Sequence, residues 1–541
     1  MTNSGKNAVG KAREPRAGVQ TLKMVLHWGL GTVLVWGMSL ALVVFAWKHP
    51  VVTGGVRYGE PVPVPAAEVV LSCPAVPPTV NPKAVDAAGQ RVAPPQIAGS
   101  LTATVLARSG KVPTDAVFSP LVDSVHEVPA ATPTASAAPT SVPKKKSRGK
   151  DDDAQAESEP PEDTRSDLVL RPRSAMLFGR FSKPVSGFLR AAPWENRAAL
   201  AAADIEQSVS SGDYRGLATG TCQVASQDVW LVGGATIPGN STVLQLMNPS
   251  ANPVEAKVEV WGDTGKQRFP RGEKLRINPK DQVSIPLESA LPSLQSLAVH
   301  VSASGAGVAA SLMTHNLQGL TAGGVSLVHA SVAPGRTQVI PGVAMSEDLG
   351  AVRILNPGSE TTHASIEVVN ENGRFPLPGG AKVTLDAGTV TDFTLGGLQA
   401  GNYAVVVTSP DPVVAGAVVY RHGGESEQDP GRFMRDHAWL PALPPGGGVV
   451  LGPAAINRQL LVTNLGEANS EFKVAGHTHV VKAGTTAVVP LNEEAADLVE
   501  APDLYVTQVL TTELGDGLGI DSLEPSPDLA QSRQVYVQLR S

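Results

Sequence analysis

Apolar and polar positions alternate strictly over residues 254–261. Ala256, Val258 and Val260 share one side of an extended chain, and Glu255, Lys257 and Glu259 share the other. This period of two predicts a half-buried strand. The pattern returns 108 residues later, with Ala364, Ile366 and Val368 set against His363, Ser365 and Glu367, and once more with Phe472, Val474 and Gly476. Asn248, Asn356 and Asn464 mark the same place in each copy (356 − 248 = 108; 464 − 356 = 108). A slip of one residue would turn the core face outward, so keeping the face across copies marks a repeated folded unit.

The correspondence extends beyond that strand. Leu275 and Ile277 map onto Val383 and Leu385, and Ile285 and Leu287 onto Phe393 and Leu395. In the third copy VVPL (488–491) resembles SIPL (284–287) after a deletion of 12 residues. GDTG (262–265) and NENG (370–373) both read as turns. Each copy closes with two strands, within 297–313 and 403–420, and with a weaker second partner after 504–510. Short strands broken by Gly, Pro, Asn and Asp predict tandem immunoglobulin-like antiparallel β-sandwich units at 226–330, 331–435 and a shortened 436–541. Asn248-Pro249 and Asn356-Pro357 initiate turns at strand ends; the third copy keeps Asn464 and replaces the proline by Leu465.

A different pattern opens the chain. Residues 24–47 hold no Asp, Glu, Lys or Arg. As a helix they would be about 36 Å long, enough to cross a hydrocarbon core of about 30 Å. Lys6, Lys11, Arg13, Arg16 and Lys23 against Glu14 make 1–23 a basic cytoplasmic tail, which puts the chain from residue 48 onward outside the membrane. A cleaved signal peptide would carry a shorter apolar run, so an uncleaved signal-anchor is expected. Residues 48–128 read as an extended lead-in with strands at 66–72 and 100–107, and 129–165 as a low-complexity, charged linker. Residues 166–225 would join 62–108 in one small domain, with a strand at 166–172 and a helix over the Ala-rich 194–209.

Composition narrows the function. A net charge of −7 without a basic stripe argues against nucleic acid as a partner. Cys73 and Cys222 both fall on the outer side of the span, where disulfides persist, so a bridge between them is expected. No nucleophile elbow, zinc-protease helix, phosphate loop or dinucleotide fingerprint is present, and no catalytic, cofactor-binding or metal site is assigned. The acidic run 151–159 lacks the glycine and terminal glutamate of a calcium loop. His477 and His479 would share a strand face without a third ligand, and read as surface histidines. Tyr420-Arg421-His422 and Arg435-Asp436-His437 flank the Gly/Glu-rich segment 423–432, a polar cluster on a sandwich end. Asn240-Ser241-Thr242 is a glycosylation sequon, meaningful only in a host with that machinery.

The basic tip, the span, the proline-rich lead-in with Ser72-Cys73-Pro74, then Thr221-Cys222-Gln223-Val224, Trp230-Leu231-Val232-Gly233-Gly234 and the repeated Asn-Pro units resemble an actinobacterial family of single-pass membrane proteins of unknown function. The resemblance implies a place in the cell envelope, since members are often encoded near envelope glycosyltransferases. It carries over no functional residue. The expected function is a membrane-anchored, extracytoplasmic, non-catalytic scaffold or binding protein, held in the lipid bilayer by 24–47 and meeting an envelope protein or glycan. The alternative is a cell-wall polysaccharide-binding module, or an accessory subunit of a glycan-assembly system. That reading wants exposed aromatic platforms, for which Trp230, Trp261 and Trp439 are the repeat-region tryptophans.

Overall fold

The computed structural model describes residues 62–63, 66–76, 97–107, 115–121, 125–127, 167–173, 176–194, 197–269, 274–346, 350–452, 456–491, 496–529 and 534–535. The apolar run 24–47 lies outside them, as does the whole of the linker at 129–165. Among the described residues no helix is long and apolar enough to cross a membrane, and strands dominate throughout. The chain forms two compact units. In one, Val62–Pro63 pairs antiparallel with Gln534–Val535. The other is the body, Pro65–Ser532.

The body begins with an amino-terminal sandwich built from both sides of the linker. One sheet runs in the order Gly216–Thr221, Leu200–Val209, Ile97–Leu106, Met176–Phe181, Arg171–Arg173. The facing sheet is Val69–Cys73, Gly187–Ala191, Ala116–Pro120, Leu168–Val169. Leu71, Leu101, Phe118, Leu177 and Leu189 fill the core between them. Cys73 and Cys222 are joined by a disulfide across a sequence separation of 149 residues.

The helix expected over 194–209 does not form. Leu200–Val209 is instead the strand between Ile97–Leu106 and Gly216–Thr221. Ala201 and Ala203 face the sandwich core, while Ala202 on the opposite face packs with Val449 and Leu451 of the third copy. Both faces are covered, so the strand shows none of the polarity alternation that would have identified it. Pairing on two sides overrides the helical preference of its alanines.

Three further sandwiches follow. Ala256, Val258 and Val260 lie in the core of the first, Ala364, Ile366 and Val368 in that of the second, and Phe472 and Val474 in that of the third. In the third copy Tyr505–Leu514 pairs with Gly517–Leu523, but in the first the two closing strands do not pair with each other. Leu297–Ala303 lies in one sheet and Ala309–Gln318 in the other. In the second copy they are one strand, Gly401–Glu425, which pairs with Thr362–Asn370 in the first part of its course and with Ala351–Leu355 in the second. Phe433–Pro441, which straddles the boundary drawn at 435/436, pairs with that long strand and so belongs to the second sandwich.

Each sandwich is fastened by its repeated asparagine. Asn248 is buried at the end of Asn240–Asn248, and its Nδ2 donates to the carbonyls of Asn252 (2.8 Å), Ile277 (3.2 Å) and Asn278 (2.9 Å). Its Oδ1 accepts from the Ser250 amide at 3.0 Å. Asn356 repeats the set with Glu360, Leu385, Asp386 and the Gly358 amide. Asn464 repeats it with Ala468, Val481 and the Gly466 amide. The distant carbonyl lies 29 residues on in the first two copies and 17 in the third, so the 12-residue deletion (29 − 17) falls inside the loop that the clip spans. Asn248 ends a strand of one sheet and Ile277 a strand of the other, so the amide ties the two layers. The clip uses nothing of the next residue's N–H, which is why Pro249, Pro357 and Leu465 are interchangeable there.

Asn356→Ala strands buried carbonyls and the Gly358 amide, and is expected to lower stability by about 1–3 kcal/mol in denaturant titration. Cys73→Ser with Cys222→Ser frees a long loop in the unfolded chain. In the chain-entropy model the loss is about 4 kcal/mol or more, read as a drop in melting temperature that the oxidised wild type does not share.

Candidate functional site

Each of the four sandwiches ends in a hairpin whose last strand is a sheet edge: Gly216–Thr221, Thr321–Val328, Phe433–Pro441 and Gly517–Leu523. These four edges pack together at the centre of the body. An edge strand carries N–H groups with no ladder partner, and burying them unpaired is costly. Here side chains satisfy them. Asp436, fully buried on Phe433–Pro441, accepts at Oδ2 from Leu217 N–H (3.0 Å) and Ile520 N–H (3.0 Å), and at Oδ1 from Val325 N–H (3.4 Å). Asp521 Oδ2 accepts from Thr219 N–H at 2.7 Å, and Ser326 Oγ accepts from Trp439 N–H at 3.2 Å. Gly324, at φ +100°, passes so close that an added Cβ would stand 2.5 Å from Asp436 Oδ1.

The electrostatics follow from burial. It raises Asp436 from 3.8 to about 7, against its hydrogen bonds to Leu217 and Ile520 and the charge of Arg215. Burial likewise raises Asp521 and Asp204 well above 3.8, and takes Glu206, which accepts from Ser100 Oγ at 2.6 Å, from 4.5 to about 7. His437 is held neutral, lowered by burial to about 4, with Nδ1 donating to the Gly323 carbonyl at 3.0 Å and Nε2 3.1 Å from Thr314 Oγ1. Asp436 and His437 are both buried, and their polar atoms bond to the frame.

Toward the hairpin tips lies Arg215. Its Nη2 donates to the Leu514 carbonyl at 2.9 Å, and its guanidinium is packed against the backbone of Gly423 and Gly517, where any side chain would collide. Around it the four tips touch in sequence. His315 stacks on Tyr214 at 4.3 Å and bonds the Asp213 carbonyl; Thr321 Oγ1 donates to Asp429; Gly424 abuts Asp516; and Gly515 lies against the Ser210 carbonyl. The resulting composite face presents Leu320 (63 % exposed), Phe433 (57 %) and Leu518 (44 %), one from each repeat sandwich, among the carboxylates of the tips.

The residues singled out from the sequence fall in different places. Tyr420, Arg421 and His422 stand directly across the ladder from His437, Asp436 and Arg435, and Arg421 donates to the Ala344 carbonyl at 3.0 Å. Expected in a polar cluster on a sandwich end, Asp436 and His437 are buried. Arg215 and Asp521 give no signal in the sequence, because their partners lie hundreds of residues away. The disulfide follows directly on the junction edge Gly216–Thr221, through Cys222, and the three asparagine clips belong to the individual repeat sandwiches. His479 stacks on Phe472 at 5.3 Å while His477 is exposed, and among the described residues no group of three or more His, Cys, Asp or Glu is arranged to hold a metal. Trp230 and Trp261 are buried between the first and second repeats, and Trp439 is buried beneath Arg353, whose guanidinium lies 4.7 Å from its ring.

Fold and junction together define a β-repeat protein: sandwich modules carrying one asparagine clip apiece, joined to an amino-terminal sandwich through buried carboxyl groups. The chain belongs to the Family of unknown function (DUF5719), whose profile matches residues 181–502. No curated protein and no solved structure matches the chain.

Stability is expected to fall as pH rises toward neutrality. Asp436 and Glu206 keep protons to about 7 in the folded chain, whereas unfolded groups release theirs near 3.8 and 4.5; Asp204 and Asp521 act with the same sign. Their contribution is complete below the unfolded values and is lost as pH climbs through about 7. His437 and His315, both lowered, oppose this below 6.5 but are two groups against four. Denaturant midpoints should therefore drop between about pH 5 and about pH 8; a flat or rising midpoint contradicts the assignment. Asp436→Ala leaves three N–H groups unpaired and should cost about 3 kcal/mol or more.

Proposed function

We propose that this protein is a membrane-anchored, extracytoplasmic, non-catalytic scaffold of the cell envelope that binds a partner through its four-hairpin face. Its modules are taken as immunoglobulin-like, and the apolar run at 24–47 as the anchor that leaves them outside. The observation that carries the reading is the composite face itself. Three large apolar side chains stand exposed on tips that a buried polar frame holds in place, which is the arrangement of a binding surface carried on a rigid support. The Cys73–Cys222 disulfide supports an oxidising compartment. The burial of Asp436 and His437 favours support over chemistry.

A polysaccharide-binding module is the second reading. It is weakened by the tryptophans, since Trp230, Trp261 and Trp439 are only 8, 5 and 6 % exposed and offer no stacking platform.

Photo-crosslinkers placed singly at Leu320, Phe433 and Leu518 in cells, with one at the equally exposed Val480 as control, separate the two. Adducts to one protein from the first three sites but not from Val480 are expected. Retention of the ectodomain on isolated wall glycan, with no site-dependent protein adduct, would favour the second reading.

A further inference from the structure

Away from the hairpin face, the amino-terminal sandwich has a cleft with its own chemistry. Arg171–Arg173 is the free edge of the larger sheet and pairs with Met176–Phe181, with Arg171 opposite Phe178 and Arg173 opposite Met176. Side chains two apart on a strand share a face, so Arg171, Arg173, Phe178 and Arg180 all stand on the same side. Leu168–Val169 belongs to the other sheet, and the step between the sheets leaves a cavity of about 580 Å³ bordered by Asp167, Val169 and these residues. That volume is within the range of small-ligand sites, about 300–1,000 Å³.

The charge of the cleft runs against that of the chain. Among the described residues that line it, three are arginines and one is an aspartate (3 − 1 = +2), in a protein whose net charge is −7. Two of the arginines are held in position. Arg180 Nε donates to Thr102 Oγ1 at 3.1 Å, and the Arg173 guanidinium lies 5.1 Å from the centre of the Phe178 ring. Pro172 has no N–H to offer an added strand, so a ligand here is gripped by side chains and not by main-chain pairing. Planar forks of this kind match the oxygens of phosphate and carboxylate groups. An excess of two positive charges suits a phosphate dianion better than one carboxylate, and the half-buried Phe178 offers an apolar wall to the carbon face of a sugar.

We propose that this cleft binds the phosphate group of a phosphorylated saccharide. The proposal is independent of the hairpin face and of any partner there. Isothermal titration of the full-length chain in a neutral-lipid nanodisc would use glucose 1-phosphate, glucuronate and glycerophosphoglycerol as probes. Saturable binding of glucose 1-phosphate is expected, weakened at least tenfold by Arg171→Ala with Arg173→Ala. Both side chains are exposed, so the melting temperature should not move. Phe178→Ala should weaken glucose 1-phosphate more than glycerophosphoglycerol. Tighter binding of glycerophosphoglycerol would make a lipid headgroup the source of the phosphate and overturn the saccharide. Equal binding of glucuronate, no saturable binding, or an unaffected double variant would overturn the site.

Discussion

A sheet edge wants another strand, and this body holds four such edges against one another without forming a ladder between them. Strand pairing would have demanded common register and direction. A carboxyl group makes no such demand, because its oxygens accept from several directions at once, and Asp436 reaches N–H groups on three separate strands. The arrangement fixes much else. The acids must be buried to do this, burial makes their protons hard to remove, and the backbone around them is pared to glycine. The interior of the assembly is polar for a structural reason, while the sandwiches it joins have conventional apolar cores.

The repeats agree inside and differ where they meet. The asparagine clip recurs in all three, spanning the two sheets in the same way. The residues of the junction do not recur. One period before Asp436 stands Val328 (436 − 108 = 328), and one period either side of Arg353 stand Gln245 and Leu461. Each of these serves its own contact. Arg353 grips Asp392 at 2.7 and 2.8 Å and reaches the carbonyls of Gly234 and Leu297 in the first copy. Gln245 exchanges two hydrogen bonds of 2.9 Å with the backbone of Ala75 in the amino-terminal sandwich, and Leu461 joins the core of the second copy. One fold was kept, and its outer surfaces were adapted copy by copy.

Legibility in the chain divides along the same line. Period-two alternation and the asparagine spacing are local, and they expose the repeat and its half-buried strands. The disulfide is legible from two cysteines on one side of an apolar span. Leu200–Val209 reads as a helix because a strand buried on both faces loses its alternation, and its alanines then carry a helical preference. The junction leaves no local trace: Asp436 meets residues 219, 111 and 84 positions away. Arg171 and Arg173 are visible two apart, but the cavity beside them depends on a chain crossing between sheets at Leu170.

The sandwiches also close on themselves. The first packs on the second through Trp230 and Trp261, the second on the third through Leu461 and Val509, and the third on the amino-terminal sandwich through Val449 and Leu510. An open solenoid can gain or lose a repeat at either end, since each added copy finds a free surface like the last. Here every hairpin edge is already consumed. A duplicated copy would have no edge to meet and would leave a carboxyl buried without its donors. The number of modules is therefore held by the same atoms that hold the fold, and descent within this architecture should proceed by changing the hairpin tips and loops while the count stays at four.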